Sequence, residues 1–343
     1  VDKFFANVRQ DSRTLKADRA QGIFTTPFVE FSRKLISQNR IDNGRANLRK
    51  YKSVFDVMER KYGVSRGVLT AFWAFETDFG AFQGDFNTLN SLMTLSHDCR
   101  RPELFQPQVF SALELYEHGD FSPTGTKGAW AGEIGMVQML PGDILESGVD
   151  GDGDGHVNLK GSAADALLSG ANMLHKLGWK AGQPWLQEVV MPKDFDWAKT
   201  GLDTKLGVSQ WKQMGVTPRS GSFAGKGPAS IILPQGRKGP AFIAYPNFDV
   251  YFEWNQSFVY VTTAAYFATR LEGAPIYKAG NPEPGLSRGQ MKTLQKKLQA
   301  RGHDIGKLDG ILGAKTRAAV QKEQARLGLP SDAWPTAALL SRL

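Results

Sequence analysis

The sequence predicts a mainly α-helical protein (α+β) with a small β-containing part, closed by a separate basic helical module. Apolar residues recur at three- and four-residue spacing from residue 1 to about residue 120, and again in 162–177 and 257–271. Two β-type runs, 229–233 and 240–245, flank the loop Pro234-Gln235-Gly236-Arg237-Lys238-Gly239. Beyond them, the stretch 274–285 reads as a linker with three prolines, and the tail after it differs in charge.

In chain order, Val64, Val68, Leu69, Phe72 and Trp73 mark one face of a helix, with Ser65 as its N-cap and Gly80 as its stop. Phe105 to Glu117 forms a second, with Val109, Ala112, Leu113 and Tyr116 on one face. From Lys127 to Gly161 dense glycine breaks the pattern into loops, and Ser162 to Leu177 returns to helix. In the tail, Leu294 and Leu298 sit at i,i+4, the run 309–313 is a glycine-rich turn, and Thr316 to Leu327 is helical. The expected organisation is a body over 1–275, a linker over 276–285 and a module over 286–343.

At 343 residues the chain has room for two domains of ~150 residues. Its 41% hydrophobic content is ordinary for a protein with a sizeable core. No apolar stretch reaches the ~20 residues that span a bilayer, so no membrane span is expected. The start at Val1 suggests a processed or trimmed terminus. The lone Cys99 excludes an internal disulfide framework. Net charge is +8, but residues 286–343 hold eleven Lys/Arg against four acids, a net of +7, leaving +1 for the body. A basic module beside a near-neutral body suggests an anionic polymer as partner, either a nucleic acid or an anionic cell-wall glycan. The tail lacks the aromatic stacking platform used on single strands, which weighs against nucleic acid.

Glu76 ends the aromatic run Phe72-Trp73-Ala74-Phe75. Low-dielectric surroundings disfavour a charged carboxylate and raise its pKa. An acid kept partly protonated near neutral pH is what donates a proton to a leaving oxygen. Glu76 is therefore a candidate lone general acid. Asp78 and Asp85 stay open as a second carboxyl, since ordinary glycosidases use two, roughly 5–5.5 Å or 6.5–9.5 Å apart.

Asp150-Gly151-Asp152-Gly153-Asp154-Gly155-His156-Val157-Asn158 matches the first nine positions of an EF-hand loop. Alternate aspartates supply converging oxygens, and glycine at position six permits the sharp turn. His156 would offer its backbone carbonyl. Position twelve departs from the pattern, being Gly161, and Asp165 could close the site through a longer loop or serve as a helix N-terminal acid. Asp150, Asp152, Asp154, His156 and Asp165 form the candidate ligand set. Calcium in a structural role is the expected ion, against a solvated acidic turn that holds none.

Glu76 in its aromatic run, the motif Gly132-Glu133-Ile134-Gly135-Met136-Val137-Gln138-Met139-Leu140-Pro141, the calcium-like loop, and Tyr245-Pro246-Asn247-Phe248 leading to Trp254-Asn255-Gln256-Ser257 occur in that order. Over residues 1 to about 275 the chain thereby resembles the lytic murein transglycosylase B family. The tail is similar to the type-1 peptidoglycan-binding module, in Leu294-Gln295, Leu298, Gly302, Asp309-Gly310, Gly313, Thr316, Ala319-Val320 and Gly328-Leu329.

The resemblance implies a lysozyme-like helical core that cleaves the MurNAc–GlcNAc β-1,4 bond without water, leaving 1,6-anhydro ends. Glu76 would be the sole acid and then base. Gln138 would hydrogen-bond the sugar, Asn255, Tyr260 and Trp254 would line the cleft, and Arg101 would face a substrate carboxylate. No cofactor is needed for catalysis. Expected partners are peptidoglycan glycan strands and cell-wall synthesis enzymes, in the periplasm, with a monomer as the default. Ala129 replaces the family's usual serine, and Glu133-Ile134 its Ala-Met. A hydrolytic muramidase and a non-catalytic wall-binding scaffold remain as alternatives.

Overall fold

The computed structural model describes residues 1–20 and 25–343. They form two compact units: Val1–Gly22 with Gln38–Ala181, and Ile23–Ser37 with Gly182–Leu343.

The first unit is helical. Arg66–Thr77 runs through its middle, with Gly67 to Ala74 all buried, as a helix that is apolar on nearly every side must be. Gln38–Lys50, Lys52–Tyr62 and Ala163–Lys176 pack around it. Lys52–Tyr62 shows the logic: Phe55, Met58 and Tyr62 point inward. It stops at Gly63, where φ is +68° and a Cβ would lie 2.3 Å from that of Ala181. Thr88–His97 and Pro102–His118 pack together as a second pair. The inward line of Pro102–His118 is Phe105, Val109, Ala112 and Leu115. Leu113 and Tyr116, expected on that face, are only half-buried, because the stripe advances by 3.6 residues per turn from Phe105. Two short strands, β1 (Phe86–Asn87) and β2 (Lys127–Gly128), pair antiparallel. The glycine-rich region also holds a short helix, Pro141–Ser147.

The second unit is built on five strands, β3 (Leu186–Val190), β4 (Leu206–Gly207), β5 (Thr217–Pro218), β6 (Pro228–Ile232) and β7 (Ala241–Ala244). They form one antiparallel sheet of order β4-β6-β7-β3-β5. β6 and β7 are the two expected strands, to within a residue. The other three carry no strand signal in the sequence, since β4 and β5 are two residues long and β3 places Gln187 and Glu188 among apolar residues. Trp211, Ile231 and Ile243, all fully buried, centre the core. Phe258–Leu271 packs on β3 and on the helix Phe28–Leu35.

The tail folds as three helices, Arg288–Ala300, Ala314–Arg326 and Ala337–Arg342, around Leu294, Leu298, Val320 and Leu339. Buried Gln295 organises its turn: its amide nitrogen donates to the Ile311 carbonyl at 3.1 Å, and its oxygen accepts from Gly310 N–H at 2.9 Å. That accounts for the Leu-Gln and Asp-Gly pairs of the tail motif. The proline-rich stretch before it is pinned. Asn281 N–H donates to the Lys238 carbonyl at 2.9 Å, Lys238 pairs with Glu283 at 2.8 Å, and the Trp334 indole donates to the Glu283 carbonyl at 2.9 Å. No described helix is long and apolar enough to cross a membrane.

Candidate active site

Glu76 lies one residue before the end of the central helix, half-buried. The helix stops at Thr77, three residues short of Gly80, because Asp78 and Phe79 take left-handed conformations at φ +50° and +61°. Asp78 N–H returns to the Ala74 carbonyl and Phe79 N–H to the Trp73 carbonyl, closing the helix as glycine usually does. An aspartate in that conformation is held by something, and here Arg40 Nε donates to its carboxylate at 3.0 Å.

Thr77 ties this helix end to the loop that carries Gln138. Its hydroxyl donates to the Met136 carbonyl at 2.6 Å and accepts Gly80 N–H at 2.9 Å. Met136 N–H in turn donates to the Leu159 carbonyl at 2.9 Å. Gly135, at φ +81°, permits this approach, since a Cβ there would stand 2.6 Å from the Leu159 carbonyl oxygen. Gln138 itself is left-handed at φ +55°, and its amide donates to the Gly135 carbonyl at 2.8 Å. Glu76 and the Gln138 loop thus share one hydrogen-bonded frame. The alternative carboxyls are directed elsewhere: Asp78 to Arg40, and exposed Asp85 to Arg13 at 3.6 Å.

Arg101 sits at the N-cap position of Pro102–His118 without a side-chain capping bond and, with Arg100, pairs with buried Asp18. Its Nε is buried without a partner among the described residues, and it is also attracted to Glu133. Burial pushes the Glu133 carboxyl up, against the pull of nearby backbone N–H groups and Arg101. At the position of the family's serine, Ala129 contributes only backbone, donating to the Glu133 carbonyl at 2.9 Å.

The second unit holds the other three expected residues. Asn255 ends the helix Pro246–Trp254, and its side-chain oxygen accepts Ser257 N–H at 2.9 Å. Trp254 is half-buried at that helix's last position, and Tyr260 is buried in Phe258–Leu271.

In the calcium-like loop, Asp150, Asp152 and Asp154 are exposed and bring carboxylate oxygens within 4.8 Å of one another. Backbone N–H groups of Gly155, Gly153 and Asp154 bond the Asp150 carboxylate and hold its pKa below the usual range. Converging hard oxygens on a loop ordered by its own backbone suit Ca²⁺. The His156 ring bonds Asp120 at 2.8 Å, which leaves its backbone carbonyl as the ligand on offer. Asp165 stands apart from the gathered set. Buried at the start of Ala163–Lys176, its carboxylate accepts N–H groups of Gly151, Asp152 and Asn158 and the Ser162 hydroxyl. Four donors leave it an organiser of the loop.

Residues 1–269 match the family model described as "Transglycosylase SLT domain". The chain belongs to this transglycosylase SLT family. Residues 287–343 match a "Putative peptidoglycan binding domain". SltB3 from Pseudomonas aeruginosa, crystallised in complex with NAG-anhNAM-pentapeptide, is 36% identical, with a TM-score of 0.90 over 99% of this chain and 92% of that one. Slt35 from Escherichia coli, in complex with calcium, is 25% identical, with a TM-score of 0.67 over 78% of this chain and 85% of that one. "Membrane-bound lytic murein transglycosylase B" of Escherichia coli K12 is 28% identical over 232 residues, 67% of this chain and 63% of the relative. The match thus spans under two thirds of that relative's length. The lysozyme-like, mainly helical fold expected for this SLT-family chain is the one observed.

Proposed function

We propose that this chain is a peptidoglycan lytic transglycosylase that cleaves the MurNAc–GlcNAc β-1,4 bond without water. Glu76 protonates the bridging oxygen as the bond breaks, and the muramyl acetamido oxygen stabilises the positive centre. Ionised Glu76 then takes the proton from the muramyl 6-hydroxyl, which attacks the anomeric carbon and closes a 1,6-anhydro ring. Gln138, Arg101, Asn255, Trp254 and Tyr260 contribute substrate contacts, and binding energy along the strand supplies orientation. Calcium on Asp150, Asp152 and Asp154 is structural, and the protein acts in the periplasm on the cell wall.

The observation that carries single-acid chemistry is the disposition of the neighbouring carboxylates. Asp78 is committed to Arg40, and Asp85 faces Arg13 at the surface. A hydrolase of either geometry needs a second carboxyl free to act on water or the sugar. The relative crystallised with an anhydro-sugar ligand supports the same product.

The test is mass spectrometry of fragments released from purified sacculi, with Glu76→Gln beside the parent. Fragments lighter by one water than hydrolysed ones, and absent with the variant, are expected. Hydrated reducing ends would make the enzyme a muramidase and return attention to Asp78 and Asp85. Sacculus binding with no fragments would leave a wall-binding scaffold.

A further inference from the structure

We propose that Phe82 is a platform for a sugar ring of the bound strand, presented by a loop that the candidate site itself holds rigid. Phe82 is 74% exposed, in the loop just past the Glu76 helix. A lone exposed phenylalanine is ordinary; what singles this one out is its company and its mounting. The other aromatics of the stretch are engaged. Phe72 and Trp73 are buried, and Phe79 packs edge-on against Trp73 with ring centres 5.6 Å apart. The Arg13 guanidinium lies 4.6 Å from the Phe86 ring centre, and that of Arg40 lies 5.9 Å from the Phe75 ring centre. Phe82 has no ring or cation partner among the described residues.

The loop is fixed on both sides of the ring. Before it, Gly80 N–H donates to the Thr77 hydroxyl at 2.9 Å, and Phe82 N–H itself donates to the Thr77 carbonyl at 2.9 Å. After it, the Gln83 amide donates to the Gly80 and Lys160 carbonyls, both at 3.1 Å. The Gln83 carbonyl accepts the Gln138 amide at 3.4 Å, which joins this loop to the Gln138 loop. Gly84, at φ +85°, is pressed against β2, where a Cβ would stand 2.1 Å from the Gly128 carbonyl oxygen. The Phe82 backbone is thus part of the frame that holds Glu76 and Gln138, and it loses little further freedom when a ligand stacks on the ring.

The surroundings select the ligand. A protein or lipid partner needs a contiguous apolar patch. The neighbours here are small or polar: Ala81, Gly84 and Asp85 are exposed, and Gln83 and Gln138 are half-buried. A pyranose offers an apolar C–H face edged by hydroxyls, so the face stacks on the ring while the hydroxyls meet the polar rim. This inference rests on the proposed function for the identity of the strand.

The experiment is fluorescence titration of the full-length protein, carrying Glu76→Gln to stop turnover, with glycan strands stripped of peptide. The emission that Phe82→Trp adds reads the site directly, as a difference from the same protein without that change. It should shift when strands are added and stay unmoved by sugar-free wall peptides. With Glu76 intact, Phe82→Ala and Phe82→Leu should lower kcat/KM on stripped strands roughly tenfold, because a flat face and not apolarity alone is required. Phe82→Tyr and Phe82→Trp, which keep a flat ring, should recover most of that loss. All four should melt with the parent, since the side chain is exposed. Emission indifferent to strands, or Phe82→Leu equal to the parent, would overturn the platform. Strand-dependent emission in a protein that releases no fragments with Glu76 intact would support the platform while removing the proposed function.

Discussion

Thr77 shows how much of the candidate site hangs on one side chain that the aromatic run around Glu76 does not advertise. It is 1% exposed, and its hydroxyl joins the end of the Glu76 helix to the Met136 carbonyl, 59 residues on. Thr77→Val keeps the shape and removes the hydroxyl, leaving a buried carbonyl and the Gly80 N–H unsatisfied. Each such loss costs about 1–3 kcal/mol, so denaturant unfolding should show a stability loss of about 2–4 kcal/mol. The Gln138 loop also loses its tether, and fragment release from sacculi should fall roughly 10- to 100-fold, as expected for small misplacements near the chemistry. Unchanged release would mean that the loop is held without Thr77. Glu76 was legible because a carboxylate closing an aromatic run is locally odd. Thr77 was not, because a threonine ending a helix is ordinary and its partner is set by tertiary structure. Asn255 was legible only as a choice: its side chain does cap the turn into the next helix, at 2.9 Å from Ser257 N–H.

Among the elements, the helices were readable because their apolar stripes repeat at 3.6 residues, and β6 and β7 because both are wholly apolar apart from Pro228 and Ser230. β3 was not, since burial of its neighbours and not its own alternation makes it a strand. The calcium-like loop was readable from spacing alone, but the role of Asp165 was not. Its two oxygens bind three backbone N–H groups and one hydroxyl, a count that only the folded loop reveals. An ion that binds the folded loop and not the unfolded chain stabilises by about 2.7 kcal/mol at a hundredfold excess over its Kd. Calcium at saturating concentration should therefore raise the melting temperature by about 5–10 °C, at about 2–4 °C per kcal/mol for a unit of this size. A chelator should reverse the rise, and Asp150→Asn with Asp152→Asn should abolish it. A melting curve indifferent to both calcium and chelator would leave the loop a solvated acidic turn.

On the scale of the whole molecule, composition reads residues 274–285 as a tether, and contacts invisible in sequence hold them as part of the second unit. Those contacts join distant positions: Gln321 reaches Trp197 across 124 residues, and Trp334 reaches Glu283 across 51. Trp334 is the centre of the arrangement. It is 6% exposed, with Arg317 5.8 Å from its ring centre. Gly236 and Gly285 lie so close that a Cβ on either would come within 2.8 Å of its side chain. Truncating such a tryptophan typically costs about 3–5 kcal/mol. It also removes the bond that fixes the Glu283 carbonyl, so the proline-rich stretch loses its anchor while the tail keeps its own core of Leu294, Leu298, Val320 and Leu339. Limited proteolysis of the parent should leave 274–285 uncut, because cleavage needs a backbone that can open. Trp334→Ala should expose the stretch and release the tail as a folded fragment. Rapid cutting of the parent at that stretch would show that the module swings freely.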